Sequence, residues 1–286
     1  MNWIIASLLM FVSSIITYLF TRKATLLNLP TEVINFATFF IPLFLYIPMS
    51  IFNRSTFIIS PLHFLFIFIM AFFCSYITNF TSLKSIKYAP NPGYSLILSK
   101  SYVFFTTIVA VIFFKSELNI KSALAILIII GFSALVMIGK TKTHRHSNSL
   151  WIPYALVSFF GWGMLSIGTK YLFSLGVNIY QRLFYVAIFV SCFILIEMFL
   201  RKTKLRALSA SSIVLLIIVG IFSAFFNFFQ MLALDVSPNI GYVNAINASS
   251  ISALTIFSTI FFKDEFTFKK FVGVLGVTVG LIALVV

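Results

Sequence analysis

Charged residues and cysteine are both scarce in this sequence. Only 9% of the 286 residues are charged, and aspartate and glutamate together number 6. Soluble globular domains are about 25% charged, so this scarcity excludes a soluble fold. The two cysteines, Cys74 and Cys192, both lie in apolar runs, where we expect small buried side chains. They supply neither a disulfide framework nor a metal site.

Histidine is also rare, with 3 residues in the chain. His144 and His146 stand in the longest polar connection, "KTKTHRHSNS", where no cysteine or carboxylate accompanies them. Zinc sites need such a ligand set, so this segment is interpreted as a solvated linker. We find no Ser/His/Asp set, metal cluster or carboxylate pair in the sequence. The sequence therefore predicts no catalytic residues, no metal and no cofactor, and the protein is not expected to be an enzyme.

Hydrophobic residues are abundant in the chain. They account for 61% of the sequence, with 37 phenylalanines, and the mean hydropathy is +1.10. A membrane helix needs about 20 mainly apolar residues, and continuous runs of that length favour helices over the short alternating strands of a barrel. The sequence predicts an all-α integral membrane protein with ten spans and an N-terminal run that is a first span, not a cleaved signal peptide. The predicted spans are 2–21, 31–52, 62–83, 92–114, 119–139, 150–170, 179–200, 212–234, 239–262 and 268–286.

The net charge of +14 comes from lysine and arginine placed mostly between the spans. This placement is typical of the positive-inside rule, so the partner is the lipid bilayer and no nucleic-acid partner is predicted. The odd-numbered connections and their flanks hold 14 basic residues, and the even-numbered ones hold 5. By this count both termini lie outside the cell, and a reporter fused to Val286 tests that orientation.

The two halves of the chain repeat each other at a shift of 148 residues. Between positions 79 and 121 the shifted sequences agree at 15 of 43 positions, among them proline, asparagine, lysine and glutamate. We therefore divide the chain into a first five-helix repeat, 1–139, a linker, 140–149, and a second five-helix repeat, 150–286. Because five is odd, the second repeat enters the membrane from the opposite side. Inverted repeats of this kind are typical of secondary transporters, which bind substrate between the halves.

Polar residues in the paired fourth and ninth spans are the first candidates for a binding site. Asn244 and Asn247 are spaced three residues apart on one side of the ninth span, and Ser99 with Lys100 lies at the matching depth of the fourth. Polar groups at membrane depth face the bundle interior or a wet cavity. Two alternatives remain open: the asparagines join helices by hydrogen bonds, and Lys100 reaches the interface by snorkelling.

Four further residues complete the candidate binding set. Asn79 and Asn227 are related by the repeat shift, and Gln230 follows Asn227 by about one helical turn. Trp162, in "FGWG", offers an aromatic face and an indole N–H for a ligand, although such residues more often pack in the interior. The few acidic residues lie near span ends, so no carboxylate proton carrier is predicted.

The motif-bearing parts of both halves resemble the EamA family of the drug/metabolite transporter superfamily. They are "APNPGY…FFKSEL…GFSALVMIGK" and "SPNIGY…FFKDEF…GVLGVTVGLIALVV". The resemblance implies a glutamate after the fourth and ninth helices and glycines in the fifth and tenth, which Glu265, Gly273 and Gly280 match well. It also implies cytoplasmic termini, opposite to the orientation from the charge count. It implies no particular substrate.

These observations together predict a secondary transporter in the cell (plasma or inner) membrane. Its cargo is expected to be a small polar metabolite, amino-acid-like or otherwise bearing a carboxylate, moved by alternating access. The alternative is a membrane scaffold or lipid-handling protein that transports nothing. A scaffold is expected to have a dry, packed centre, whereas a transporter is expected to have a solvated one.

Overall fold

The computed structural model describes residues 1–89, 92–137, 149–203, 208–263 and 266–285. Within them ten helices are long and apolar enough to cross a membrane, and no strand occurs. In chain order they are α1 (Trp3–Leu26), α2 (Thr31–Phe52), α3 (Pro61–Ile86), α4 (Tyr94–Phe114), α5 (Ile120–Met137), α6 (Trp151–Ser174), α7 (Ile179–Leu200), α8 (Ala210–Val236), α9 (Ile240–Phe262) and α10 (Phe268–Val285). The predicted fold class is confirmed, while the "HRH" segment and Glu265 lie outside the described residues.

Large apolar side chains cover the outer surface of the bundle. Phe52 is 88% exposed and Phe199 is 82% exposed, as expected where lipid is the solvent. Cys192 is also exposed and Cys74 is half-buried, so the expectation that both cysteines are buried is wrong. Periodicity in a uniformly apolar span does not distinguish the lipid face from the packed face, which is why the sequence did not reveal it.

The ninth span, α9, is the most deeply enclosed of the ten. In its most apolar window 44% of the residues are buried, against 28–39% in the others. Its first half is buried on every side from Ile240 to Ser250. The loop that follows α4 fixes the start of α9, because the Glu117 carbonyl accepts a hydrogen bond from the Tyr242 hydroxyl at 3.1 Å.

The helix contacts are those expected if a two-fold axis relates the two repeats. Such an axis superimposes α1 on α6 and α3 on α8, and both the α1–α8 and the α3–α6 pairs are extensive contacts. The related pairs α2–α7, α4–α9 and α5–α10 also pack directly against each other. Backbone details repeat as well: Lys115 and Lys263, 148 residues apart, end α4 and α9 in the left-handed conformation, with φ of 51° and 55°.

Three helices of the first half depart from regular α geometry. α2 is interrupted between Phe40 and Leu43, next to Pro42, whose ring cannot continue the hydrogen-bond ladder. α3 contains a π-helical segment, Met70–Ile77. α4 is interrupted at Ser101, directly after Lys100. Such interruptions free backbone groups and tend to mark functional sites within membrane bundles.

Candidate functional site

A cleft of about 220 Å³ opens between α2, α3 and α7. It lies at the membrane side where α2 begins and where α3 and α7 end. Its wall combines polar, charged and apolar side chains, so the cleft is wettable despite its position among membrane spans. The lining residues are Thr31, Glu32, Asn35, Tyr76, Asn79, Phe80, Leu83, Lys84, Val190, Ile194, Glu197 and Arg201.

An ion-pair network crosses the mouth of this cleft. The Arg201 guanidinium contacts the Glu32 carboxylate of α2 at 3.3 Å and the Glu197 carboxylate of α7 at 2.8 Å. The Tyr76 hydroxyl of α3 donates to the second oxygen of Glu197 at 3.1 Å. The three helices around the cleft are therefore connected by one network, which the sequence did not reveal because its members lie far apart along the chain.

A second, smaller cavity of about 20 Å³ lies between α2, α7 and α8. Its volume is close to the space that one water molecule needs. The lining residues are Thr38, Phe39, Pro42, Tyr46, Arg182, Leu183, Val186, Ala187 and Asn227. Both cavities therefore lie along the contact between α2 and α7, the second helix of each repeat.

Arg182 is the most unusual side chain of the smaller cavity. It is 3% exposed, and its Nε donates to the Thr169 hydroxyl of α6 at 3.1 Å. No carboxylate among the described residues forms an ion pair with it. Arg182 lies in the first turn of α7, so its burial among other side chains, not its depth in the membrane, makes this position costly for a cation. Sequence reasoning missed it by counting Arg182 among the flanking charges of its connection.

The 148-residue shift relates the linings of the two cavities. It carries Asn79 of the wide cleft onto Asn227 of the small cavity, and Asn35 onto Leu183. It also carries two residues of the small cavity onto residues of the wide cleft, Pro42 onto Val190 and Tyr46 onto Ile194. Four residues of each lining therefore correspond, whereas Thr38 with Val186 and Phe39 with Ala187 correspond within the small cavity itself, and the two cavities differ about tenfold in volume.

Lys100 belongs to a different group of residues, between α1, α4 and α9. Its ammonium lies half-buried and close enough to Tyr18 and Tyr102 to interact with both electrostatically. The Asn247 amide interacts with the Tyr102 hydroxyl, whereas its Oδ1 is buried without a hydrogen-bond partner among the described residues. The neighbouring Ser99 is buried and donates to the Leu96 carbonyl at 3.2 Å.

Asn244 is fully buried and has its hydrogen bonds satisfied within the protein. Its Nδ2 donates to the Thr106 hydroxyl of α4 at 3.1 Å, and its Oδ1 accepts from the Ser166 hydroxyl of α6 at 3.3 Å. This side chain therefore joins three helices, as the alternative interpretation of the asparagines expects. Asn247, one turn further along, keeps an unused acceptor and is better placed to meet a ligand.

The remaining candidates lie apart from the Lys100 group. Asn79 lines the wide cleft and Asn227 lines the small cavity, where its Nδ2 donates to the Ser223 carbonyl at 2.8 Å. Gln230 and Trp162 are half-buried and line neither cavity. Six of the eight predicted residues therefore divide among three places, namely the wide cleft, the small cavity and the facing parts of α4 and α9, and the other two belong to none of them. Within the described residues, no group of three or more His, Cys, Asp or Glu side chains could hold a metal ion.

Comparison with known proteins agrees with this architecture. A solved crystal structure, described only as that of a protein, matches with a TM-score of 0.80, covering 98% of this chain and 95% of its own. The two sequences are 10% identical, so the match shows the fold alone. No curated protein matches the sequence. Residues 149–286 match the model described as the EamA-like transporter family.

That match covers the second five-helix half, where the sequence motifs are best kept. The ten apolar helices make the protein a multi-pass integral membrane protein, and the plasma membrane is the usual location for its relatives. By the match of its second half, the chain belongs to the EamA-like transporter family of the drug/metabolite transporter superfamily.

Proposed function

We propose that this protein is a secondary transporter that moves a small polar solute across the membrane by alternating access. The solute is amino-acid-like or carries another carboxylate. Family membership is consistent with a transporter and leaves the cargo and the mechanism open. The proposal depends chiefly on one observation, a pair of cavities of unequal size whose linings partly correspond between the two halves.

Unequal cavities at corresponding places are what alternating access requires. In a transporter with inverted repeats, the two halves exchange conformations, so that an open route on one side becomes a closed one. Here the cleft between α2, α3 and α7 is the larger, and the cavity between α2, α7 and α8 has room for about one water molecule. When the two halves exchange conformations, the wide cleft narrows and the small cavity widens. The interruptions in α2, α3 and α4 supply points where the helices can bend.

The chemistry of the solute is inferred from the basic and amide groups inside the bundle. Lys100 has no carboxylate partner among the described residues, and a solute carboxylate would neutralise it. Asn247 adds a free acceptor oxygen at the same group, which suits an ammonium or hydroxyl of the same solute. No carboxylate is assigned as a proton carrier, and the proposal names no coupling ion.

Reciprocal cysteine labelling tests alternating access. Asn79→Cys and Asn227→Cys are made separately in a chain whose Cys74 and Cys192 are changed to serine. Addition of a transported solute is expected to change the two labelling rates in opposite directions, because each residue reports one cavity. A scaffold or lipid-handling protein is expected to show two rates that do not respond to any solute. Rates that rise or fall together contradict the proposal.

A transport assay tests the solute and its contacts. An untargeted comparison of metabolites in cells with and without the protein provides candidates, which are then offered to purified protein in liposomes. Lys100→Ala and Asn247→Ala are expected to reduce uptake, while Lys121→Ala, which removes an exposed charge at the start of α5, leaves it unchanged. No movement of any candidate contradicts transport. Normal uptake by both variants contradicts the assignment of these two contacts.

A further inference from the structure

The guanidinium of Arg182 has more hydrogen-bond donors than the protein uses. Arginine carries five N–H donors in a planar fork. One of them, on Nε, donates to Thr169, and no described residue accepts a hydrogen bond from either Nη nitrogen. The side chain is nevertheless buried from the outer surface of the bundle. Unused donors on a buried cation point to a ligand that is itself an acceptor and carries negative charge.

Among the described residues, the groups around Arg182 supply polarity but no acidic partner. Tyr46 and Cys74 interact with it electrostatically, and Asn227 lines the same cavity. The Tyr46 hydroxyl donates to the Ala224 carbonyl at 3.2 Å, so its hydrogen is already in use. The cavity therefore presents one net positive charge, which favours an anion over a neutral solute.

The size and shape of the site select among anions. In this conformation the cavity of about 20 Å³ has room for about one water-sized group, so it takes only the end of a longer solute, and the rest of the solute lies outside it. A carboxylate is planar and accepts two parallel N–H bonds from a guanidinium, an arrangement that a spherical ion cannot make.

We propose that Arg182 is an anion-binding residue that holds the carboxylate end of a solute in the cavity between α2, α7 and α8. This site is distinct from the Lys100 group, with which it shares no helix. It rests on the proposed function only in that the bound solute is the transported one. The binding itself requires no transport and is tested separately.

The first measurement is thermal unfolding of the full chain in nanodiscs of zwitterionic phosphatidylcholine, which supply no anionic lipid headgroup. Sodium acetate replaces sodium chloride at constant ionic strength, and inorganic phosphate is tested in the same way. Acetate is expected to raise the Tm of the parent protein and of Lys23→Gln, which removes one exposed charge from the end of α1. It is expected to leave the Tm of Arg182→Gln unchanged.

The second measurement uses Cys74 as a natural reporter beside Arg182. In Cys192→Ser, Cys74 is the one remaining thiol of the two in the sequence. We compare its reaction rates with negatively and positively charged methanethiosulfonate reagents of similar size. Arg182→Gln is expected to lower the ratio of the two rates by about tenfold. Arg182→Lys keeps the charge but not the fork, so it should keep the ratio and lose most of the acetate response.

The outcomes separate this inference from the proposed function. Equal responses to acetate in the parent and in Arg182→Gln, including no response in either, overturn the site. A larger response to phosphate than to acetate overturns its assignment to a carboxylate. If the acetate response depends on Arg182 but liposomes carry no solute, the site stands and the transport proposal fails. If Arg182→Gln transports normally and responds to acetate normally, transport stands and the site fails.

Discussion

Substituting Arg201 by glutamine should shift the protein away from the conformation described here. The change removes the 3.3 Å ion pair with Glu32 that connects α2 and α7 across the wide cleft, and also the 2.8 Å pair with Glu197, which lies within the end of α7 at i,i+4 spacing. Contacts present in one conformation stabilise that conformation relative to any in which they are broken. Narrowing of the cleft moves α2 against α7, so we expect the Glu32 pair to be lost or rearranged in the exchanged state.

The size of the shift follows from the exposure of the pairs. The Arg201 side chain is 48% exposed, so each pair is screened by solvent and contributes about 0.2–1 kcal/mol. Taking about 0.5 kcal/mol for the Glu32 pair, which joins the two helices, its loss changes a conformational equilibrium by about twofold. Glu32→Gln removes the same pair and should shift the equilibrium by the same factor.

Labelling of Asn79→Cys and Asn227→Cys measures this shift. Arg201→Gln is expected to slow labelling in the wide cleft and to accelerate it in the small cavity. Lys202→Gln is the matched control, because it removes the same charge at the same helix end and Lys202 has no ion pair among the described residues. High salt should imitate Arg201→Gln in the parent protein, since it screens exposed pairs. Unchanged rates, or faster labelling of position 79, refute the assignment of the network to this conformation.

Two substitutions test the packing that holds the site. Gly276→Ala places a Cβ 2.1 Å from the Phe132 ring in the α5–α10 contact and should lower stability by about 1–3 kcal/mol, whereas Gly131→Ala meets nothing within 4 Å and should stabilise its helix. Asn244→Ala should lower the Tm more than Asn247→Ala, because it removes hydrogen bonds to the Thr106 and Ser166 hydroxyls on two neighbouring helices, at a cost of about 0.6–2 kcal/mol. Thermal unfolding in detergent checks both; equal Tm values within either pair contradict the packing argument.

Long apolar runs and the repeat were enough to predict the fold class and the number of spans. Span length depends on bilayer thickness, which the sequence reports directly through hydropathy. The repeat also indicated which helices correspond, and the helix contacts follow that order. The interruption of α4 beside Lys100 was not predicted, since the expected helix-breaking residues were the prolines at its start.

The cavities were not predictable in the same way, because they depend on which sides of distant helices meet. Glu32 and Glu197 were placed near span ends, where the structure has them, but their joint contact with Arg201 requires the packing of α2 on α7. Arg182 was within the predicted seventh span and was still counted with the flanking charges. Its burial, not its position in the span, distinguishes it from a snorkelling residue.

The repeat shift separates the residues that the halves share from those that make them differ. Asn79 and Asn227 are the shared pair, one in each cavity, so they suit a role that both conformations need. The cations inside the bundle, half-buried Lys100 and buried Arg182, belong to one half each: Lys100 corresponds to Ala248, and Arg182 corresponds to Ile34. A symmetric helix bundle is enough for the two halves to exchange conformations. Recognition of an anion needs a positive charge, and each of these two charges occurs in one repeat without a counterpart in the other. We therefore expect the residues that differ between the repeats to determine solute preference. Swapping Arg182 and Ile34 should alter solute binding more than it alters the change between the two conformations.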